Sequence, residues 1–492
     1  MGNTTNHATT AGVDTEHDTR FFGHPIGLAN LFGVEIWERF SFYGMQAILI
    51  YYLYYQANEG GLGMDKATAT AIIGAYGGFV YLACIAAGWV ADRVLGSERT
   101  LLWSAILIMA GHVFLSTIHN YGGLSLALFC IAVGSGGVKV AATTVVGALY
   151  SASDARRDGG FSLYYMAINI GALFGPLLTG WVWGRYGFAP AFITAAIFMG
   201  IGVIQYIALR KKTLEGHFNY PEQRASIRLP LLGVIVVMVI AVVVFGFGIL
   251  PVDSMSTVVS IVSFIAAVLL WFSMYRSHEV TPLERSRLLG YIPMWIATAV
   301  FFSLFQQQFT AVALYSDTRV NLHFLGVTMS PAWTQSINPI FVVIFSGIIG
   351  GIWTHLGERQ PSTPVKFSIS LILCGLSPFV FLPFVHSTAT PYIVLVIVLL
   401  GFTLAELFLS PVGISFSTKI SPAAFPARMV GLHYLSIALG TAMSGTLAGL
   451  YVPGDPHNEQ MYFLLVGLVS IILGILMLII KKPIAKALGN VR

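Results

Sequence analysis

Charged residues are scarce in this 492-residue chain: Asp, Glu, Lys and Arg make up 10% of it, whereas 56% is hydrophobic. Soluble domains carry about 25% charged residues, so this composition excludes a soluble enzyme, a nucleic-acid-binding protein and a disordered chain. Cysteine is scarcer still. Cys84, Cys130 and Cys374 all lie in apolar runs, which excludes a disulfide scaffold and predicts free, buried thiols.

Motifs for chemistry and for processing are missing as well. The sequence contains no phosphate loop, metal-ligand spacing or catalytic triad, and residues 1–20 lack the basic and apolar segments of a signal peptide. The glycine-rich stretches 74–78 and 134–137 lie in apolar runs, where they favour close helix packing. We therefore expect no enzyme activity, no cofactor, no metal and no nucleic-acid partner. The expected surroundings are a lipid bilayer.

What the chain has is long apolar runs, each near the roughly 20 residues that a membrane crossing requires. Fourteen transmembrane helices are predicted, at 27–56, 67–92, 99–118, 122–150, 158–183, 188–209, 229–250, 255–275, 290–315, 331–355, 365–386, 391–418, 427–451 and 460–480. With this count, 21 of the 26 Lys and Arg residues lie on the side of both termini, and 3 lie on the other side. Since cytoplasmic loops collect basic residues, both termini are predicted to be cytoplasmic, in a cell membrane.

A loop motif indicates how these helices are organised. Gly88, Asp92, Arg93 and Gly96 resemble the loop between the second and third helices of the major facilitator superfamily, and a degraded copy lies at 350–359. Two six-helix bundles with an inserted two-helix hairpin are therefore predicted in this all-α membrane protein. The predicted division is a tail at 1–26, a bundle at 27–210, a linker at 211–228, the hairpin at 229–275, a linker at 276–289, a second bundle at 290–482 and a tail at 483–492.

Five charges fall deep inside the predicted spans, and such residues are functional candidates because burying them in a membrane is costly. Glu35, Glu38 and Arg39 lie on the first helix, Lys139 lies on the fourth, and Glu406 lies in the second bundle. A buried lysine needs a partner, and the acids of the first helix are the expected partners of Lys139. Glu35 and Arg39 are four residues apart, so they can pair on one helix face, and a second acid beside one guanidinium can exchange a proton. A purely structural ion pair is the alternative.

The two bundles also differ in the sign of their buried charges. Both bases lie in the first bundle, whereas an isolated acid lies in the second. A cavity between them suits a zwitterion whose carboxylate faces Arg39 and Lys139 and whose ammonium group faces Glu406. His112 and His433 also lie within spans; a packing role is favoured for His112, while packing and function stay open for His433.

The string Glu35-Ile-Trp-Glu38-Arg39-Phe-Ser-Phe42-Tyr-Gly resembles a signature of the proton-dependent oligopeptide transporter (POT/PTR) family, bacterial type, and 164–171 resembles a second one. The resemblance implies symport of di- and tripeptides with protons by alternating access. It implies proton coupling at Glu35, Glu38, Arg39 and Lys139. It implies substrate binding by Arg39, Tyr43, Gln46, Tyr81, Lys139, Asn169, Phe302, Gln306, Asn338, Glu406, Ser410 and His433. The protein is expected to function as a monomer.

Several positions depart from the family pattern. Phe42 replaces a tyrosine, Gln46 a basic residue, Gln306 an acid, Phe302 and His433 each a tryptophan. These changes leave open a transporter of the same fold for another small zwitterion or anion. A non-transporting membrane sensor is a third hypothesis, but it does not explain an intact set of buried acids and bases.

Overall fold

The architecture is taken from a computed structural model of the chain. It describes residues 18–489 except 152, 153, 155, 325, 357, 358 and 388 and, between 215 and 248, all but 226, 233, 236 and 244. The predicted span at 229–250, most of the linker at 211–228 and part of the motif copy at 350–359 therefore lie outside the described residues.

Fifteen described α-helices follow one another along the chain. They are α1 Ile26–Tyr54, α2 Lys66–Val90, α3 Ser97–Thr117, α4 Tyr121–Ala148, α5 Arg157–Tyr186, α6 Phe188–Thr213, α7 Met255–Tyr275, α8 Pro282–Phe305, α9 Ala311–Thr318, α10 Ile337–Leu356, α11 Thr363–Leu376, α12 Tyr392–Lys419, α13 Pro426–Ala448, α14 Pro456–Ile479 and α15 Lys481–Ala487. Two-residue strands β1 Val320–Asn321 and β4 Thr390–Pro391 pair in parallel, and β2 His323–Phe324 pairs with β3 Val327–Thr328.

Eleven of the described helical segments are long and apolar enough to cross a membrane. Helix α1, of 29 residues, and α13, of 23 residues, reach the same length but carry more polar residues. Thirteen of the fourteen predicted spans thus correspond to described helices. The long helical chain is the fold expected of a protein whose backbone groups must be satisfied inside lipid.

Helix ends differ from the predicted spans where local capping intervenes. Helix α8 begins at Pro282 because Thr281 and Glu284 form a capping box and proline is favoured in the first turn. The linker predicted at 276–289 is therefore shorter. The span predicted at 290–315 is interrupted by the 3₁₀ turn Gln306–Phe309, and the tail predicted at 483–492 begins inside α15.

The helices form two bundles that face each other. In the first, α1 packs on α5 and α6, and α3 packs on α4 and α6; in the second, α8 packs on α13 and α11, and α12 packs on α10 and α11. Helix α7, from the predicted hairpin, lies against α2 and α13, one helix from each bundle. Its outward residues are apolar and exposed, as lipid contact requires.

Both described chain ends lie on one face of the molecule, which we call the tail face. Gly27 at the start of α1 contacts Leu149 and Leu214, which follow α4 and α6. Gly290 in α8 contacts Leu488 near the other end of the chain. Because α2 and α13 pack antiparallel, the end of α2 and the start of α13 share this face. The loop at 55–65 marks the opposite face.

The start of α1 is held by the segment before it. No side chain of Pro25 can cap the helix, but the Asp18 carboxylate accepts a hydrogen bond from the Ile26 backbone N–H at 2.9 Å. The Arg20 guanidinium also binds this carboxylate and, with the backbone donors, lowers the pKa of Asp18 to about 2. The helix that carries three of the five deep charges is therefore anchored at the tail face.

Candidate functional site

The centre of the site is an ion triad on α1. Arg39 Nε lies 2.6 Å from Glu35 Oε1 and 2.9 Å from Glu38 Oε2, and all three side chains are buried. The phenol of Tyr164 on α5 donates a hydrogen bond to Glu35 Oε2, and Ser135 Oγ on α4 donates to Glu38 Oε1 at 3.3 Å. One guanidinium thus serves two carboxylates, which leaves an excess negative charge that a proton can neutralise.

A close helix crossing brings these groups together. A Cβ at Gly171 of α5 would lie 2.5 Å from the Ile36 carbonyl oxygen and 2.7 Å from Arg39 Cβ, so only glycine permits this approach. The crossing lets Tyr164, two turns earlier on α5, reach Glu35. A substitution at Gly171 would separate α5 from the triad.

Lys139 on α4 faces the same region without joining the triad. A close contact at Gly136, where a Cβ would lie 2.8 Å from Ala83 Cβ, sets α4 against α2. The ammonium group lies within electrostatic range of Glu38 and Glu35, but within 4 Å it has no carboxylate among the described residues. The ion pair expected between Lys139 and the acids of the first helix is therefore not formed in this conformation. Its Nζ lies instead 5.1 Å from the centroid of the Tyr81 ring.

The acid of the second bundle has a polar partner. Asn338 Nδ2 on α10 donates to Glu406 Oε2 on α12 at 3.2 Å and to Thr403 Oγ1 at 2.9 Å. Glu406 is only partly buried, and it lies within electrostatic range of Tyr43 on α1 and Tyr165 on α5. Asn338 and Glu406 therefore face the first bundle across a central space.

Three glutamines near this space have buried carbonyl oxygens with no hydrogen-bond partner among the described residues: Gln46, Gln306 and Gln335. Gln335 Nε2 donates to the Gln308 backbone oxygen at 2.7 Å. Because a carbonyl oxygen can only accept, this bond fixes which end of the Gln335 amide carries the oxygen. Gln306 Nε2 lies 3.3 Å from Thr441 Oγ1 on α13. These oxygens can accept hydrogen bonds from a ligand.

The remaining predicted residues divide between the space and the packed interior. Asn169 donates to the Tyr165 backbone oxygen, and the Ser410 hydroxyl is buried with no partner among the described residues. Phe302 packs edge-on against Phe301 and Phe305. His433 is buried inside the second bundle, where Nδ1 lies 3.0 Å from the Tyr291 hydroxyl, which is the environment of a packing residue.

Other features were not predicted from the sequence. Tyr164 belongs to a recognised motif, yet its bond to Glu35 depends on a helix crossing that no local pattern shows. His112 is fully buried on α3, and neither ring nitrogen has a hydrogen-bond partner among the described residues, contrary to the satisfied contacts that a packing role implies. No group of His, Cys, Asp and Glu in the described part of the chain could hold a metal ion.

The central space is closed at the opposite face. The phenols of Tyr54 and Tyr55, at the end of α1, both donate to the carboxylate of Asp317 on α9. We call these three residues the latch. Next to it, Trp333 Nε1 donates to the Leu177 backbone oxygen at 3.0 Å and joins α5 to the segment before α10.

The tail face is open by comparison. Tyr165 lies near the tail end of α5 and within electrostatic range of Glu406, yet it is 48% exposed. Lys139 and Glu406, which face the space, are also partly exposed, so the space is not closed towards the tail face as it is at the latch. Beyond the latch, on the opposite face, lies a separate cavity of about 500 Å³, lined by Tyr54, Tyr55, Gln56, Glu59, Met64, Asp65, Lys66 and Asp317.

Comparison with known proteins identifies relatives along almost the whole chain. Residues 98–464 match the POT family. The chain is 41% identical to the uncharacterized transporter YclF of Bacillus subtilis (strain 168), over 96% of each protein. It is 38% identical to a di-/tripeptide transporter of Lactococcus lactis subsp. cremoris, over 96% of this chain and 98% of that protein.

Solved structures show the same architecture. A crystal structure of peptide transporter POT in complex with sulfate superposes with a TM-score of 0.90 at 38% identity, over 96% of this chain and 97% of the other. A POT family transporter in complex with 5-aminolevulinic acid gives a TM-score of 0.89 at 34% identity, over 95% and 98%. The predicted major facilitator fold is confirmed by these neighbours.

The latch yields a prediction about access. Asp317→Ala removes both hydrogen bonds to a charged acceptor, each worth about 1.5–3 kcal/mol, so conformers open at the opposite face should become at least about tenfold more populated. The measurement is the rate at which a membrane-impermeant thiol reagent labels Gln46→Cys, in whole cells and in inverted vesicles so that each face is tested.

Two further variants make this test specific. Tyr54→Phe, which loses one of the two hydrogen bonds to Asp317, should give a smaller increase in the labelling rate. Asp253→Ala removes an exposed acid on the same face and is the control; equal rates in the Asp317 and Asp253 variants would refute the latch.

Proposed function

Because the chain belongs to the POT family of transporters, we propose that it is a proton-coupled symporter that imports di- and tripeptides by alternating access. The observation that carries this proposal is the ion triad on α1, with Lys139 beside it and Glu406 across the central space. Binding groups of opposite charge, and a carboxylate in excess of its guanidinium, are what a proton-coupled carrier of zwitterions requires.

The substrate class is inferred from the placement of charge. A peptide has a carboxylate at one end and an ammonium group at the other. Arg39 and Lys139 offer positive charge on the first bundle, and Glu406, held by Asn338, offers negative charge on the second. A bound peptide would therefore bridge the bundles, which is how a ligand favours one arrangement of them over another. The di-/tripeptide transporter of Lactococcus lactis supports this substrate class.

Polar and aromatic groups between these charges would contact the middle of the peptide. Tyr43, Tyr81 and Asn169 lie on the first bundle. The carbonyl oxygens of Gln46 and Gln306, which have no partner in the described part of the chain, can accept hydrogen bonds from the peptide's N–H groups. Roles for Phe302, Ser410 and His433 in binding stay predictions. His433 has the weakest claim, since its ring bonds to Tyr291 inside the bundle.

Orientation follows from the distribution of basic residues. The tail face carries most of the Lys and Arg residues, so we place it, with both termini, in the cytoplasm of a cell that holds the protein in its plasma membrane. The conformation described, closed by the latch and open at the tail face, is then inward-facing. We propose that one chain suffices for transport, because both bundles and the space between them belong to one chain.

Another small zwitterion or anion is the second candidate substrate. Lys139 has no acid within 4 Å among the described residues, so the first bundle offers more unneutralised positive charge to a ligand than an ion-paired lysine would. The structural neighbour in complex with 5-aminolevulinic acid shows that a related protein holds an amino acid of this kind. Competition between dialanine and such compounds for binding separates the two candidates.

The proton site is predicted to include Glu38. Glu38→Gln removes one of the two acids that share Arg39, so the remaining acid is fully paired and has no reason to bind a proton. A proton gradient should then no longer concentrate peptide, whose internal concentration should only reach the external one. Exchange of peptide for peptide needs no net proton movement and should persist. The measurement is the uptake and the counterflow of labelled dialanine in proteoliposomes.

The control is Glu98→Gln, which alters a buried acid of α3 that pairs with Arg210 outside the site. Its ratio of uptake to counterflow should match the wild type. Peptide accumulation by the Glu38 variant would show that the proton binds elsewhere.

Glu406 is predicted to bind the ammonium group of the peptide. Removing one partner of a desolvated charge pair costs about 2–5 kcal/mol, which is roughly 30-fold or more in affinity. Glu406→Gln should weaken the binding of dialanine by that factor. N-acetyl-dialanine lacks the ammonium group, so it should bind weakly to the wild type and almost equally to the variant.

Competition binding of both ligands to both proteins measures the effect. Thr403→Val is the matched control, because it removes the other acceptor of Asn338 and keeps the carboxylate. Equal losses of affinity for the two ligands in the Glu406 variant would mean that this acid does not contact the amine.

A further inference from the structure

The surroundings of the Lys139 ammonium group are aromatic. Its Nζ lies 5.1 Å from the centroid of the Tyr81 ring and 5.9 Å from that of Phe42. Both distances fall within the approximately 6 Å over which a ring face attracts a cation. Since Lys139 makes no ion pair within 4 Å in the described part of the chain, these two rings are its close sources of negative potential.

The two rings are held in place from opposite sides. Phe42 stacks on Tyr76 at 6.3 Å and meets Tyr43 edge-on at 5.3 Å. Tyr81 stacks at 6.3 Å on Tyr434, which lies on α13 of the second bundle. The ring beside Lys139 is thus supported by the bundle that must move relative to α4 during alternating access.

Gln306, which stands where many members of the family have an acid, does not supply a negative charge to Lys139. Gln306 Nε2 lies 3.3 Å from Thr441 Oγ1, on the side of α13 that faces Gly77 of α2. Its carbonyl oxygen has no partner among the described residues, and a neutral amide cannot offset a full positive charge in a low-dielectric site.

We propose that Phe42 and Tyr81 are positioning residues that stabilise the charged form of Lys139 in place of a carboxylate, so that a substrate carboxylate meets an ammonium group with no competing anion. The role in substrate binding rests on the proposed function, whereas the stabilisation of the ammonium group does not. Tyr81 would also make this stabilisation depend on the second bundle, through Tyr434.

Other charged and titratable groups face Lys139 from the neighbouring helices and act on it at longer range. Helix α1 contributes Arg39, Glu38 and Glu35, and α2 contributes Cys84. The Arg39 guanidinium lies 6.0 Å from the centroid of the same Phe42 ring. The Phe42 ring therefore attracts both cations, and removing it takes attraction from Lys139.

The test measures the proton occupancy of Lys139 directly. The purified protein is labelled with trace acetic anhydride across a pH series, and acetylation at Lys139 is quantified by mass spectrometry. Tyr81→Leu and Phe42→Leu should each lower the proton affinity of Lys139 about threefold to thirtyfold, the range of a cation–π contact. Tyr81→Phe keeps the ring and should leave the midpoint of the labelling curve within twofold of the wild type.

Rescue and control variants make the test specific. Cys84 lies one turn along α2 from Tyr81, so Cys84→Asp in the Tyr81→Leu background supplies the carboxylate that the ring replaced, and it should restore the midpoint. Phe79→Leu breaks an aromatic stack between α2 and α4, with Phe129, away from Lys139, and it should change nothing. If Tyr81→Leu and Phe42→Leu both label like the wild type, or if Tyr81→Phe shifts as far as Tyr81→Leu, the proposal is overturned.

A transport measurement then separates this proposal from the proposed function. Dialanine binding to Phe42→Leu, whose ring is not among the proposed peptide contacts, should weaken above the shifted midpoint by the same factor as the proton affinity and recover below it. Failure of the wild type to bind dialanine would refute the proposed substrate class, while the labelling midpoints would still decide on the two rings. Loss of dialanine binding that is the same at every pH would contradict the effect through Lys139.

Discussion

The structure depends on one arginine inside the membrane. Arg39 binds two carboxylates of its own helix, Glu35 and Glu38, where water cannot solvate any of the three. Both carboxylates lie against its Nε nitrogen, with Glu35 Oε1 at 2.6 Å and Glu38 Oε2 at 2.9 Å. The arrangement still leaves one negative charge in excess, so the site has a reason to take up a proton. Tyr164, which the close crossing at Gly171 brings to α1, donates a hydrogen bond to Glu35 and so helps to solvate the buried carboxylate.

Alternating access follows from where the two bundles are joined. Hydrogen bonds to Asp317 close the opposite face, and the central space beneath them is open at the tail face. A ligand that binds Lys139 on one bundle and Glu406 on the other adds a second link, at mid-depth. The relative strength of the two links sets which face is open, because a ligand shifts a conformational equilibrium only by its differential affinity for the two states.

The sequence predicted the fold, because membrane-spanning helices leave periodic signatures in the residues; the site residues that it singled out stay predictions. Apolar runs of fixed length, biased loop charges and deep charged residues can be read without coordinates. Which side chains contact one another could not be predicted in the same way. Lys139 was expected beside the acids of α1, but the structure places it over the rings of Tyr81 and Phe42. The latch was missed because Asp317 and two tyrosines look like ordinary residues near a loop until the bundles are assembled.

The most direct test of proton-coupled peptide symport measures both fluxes in one experiment. Proteoliposomes containing the wild-type protein and a trapped pH dye receive labelled dialanine, with and without an inward proton gradient. The account predicts that peptide accumulates above its external concentration only with the gradient, and that the lumen acidifies faster when peptide is present. Equilibration of peptide without accumulation, or acidification at the same rate with and without peptide, would contradict it.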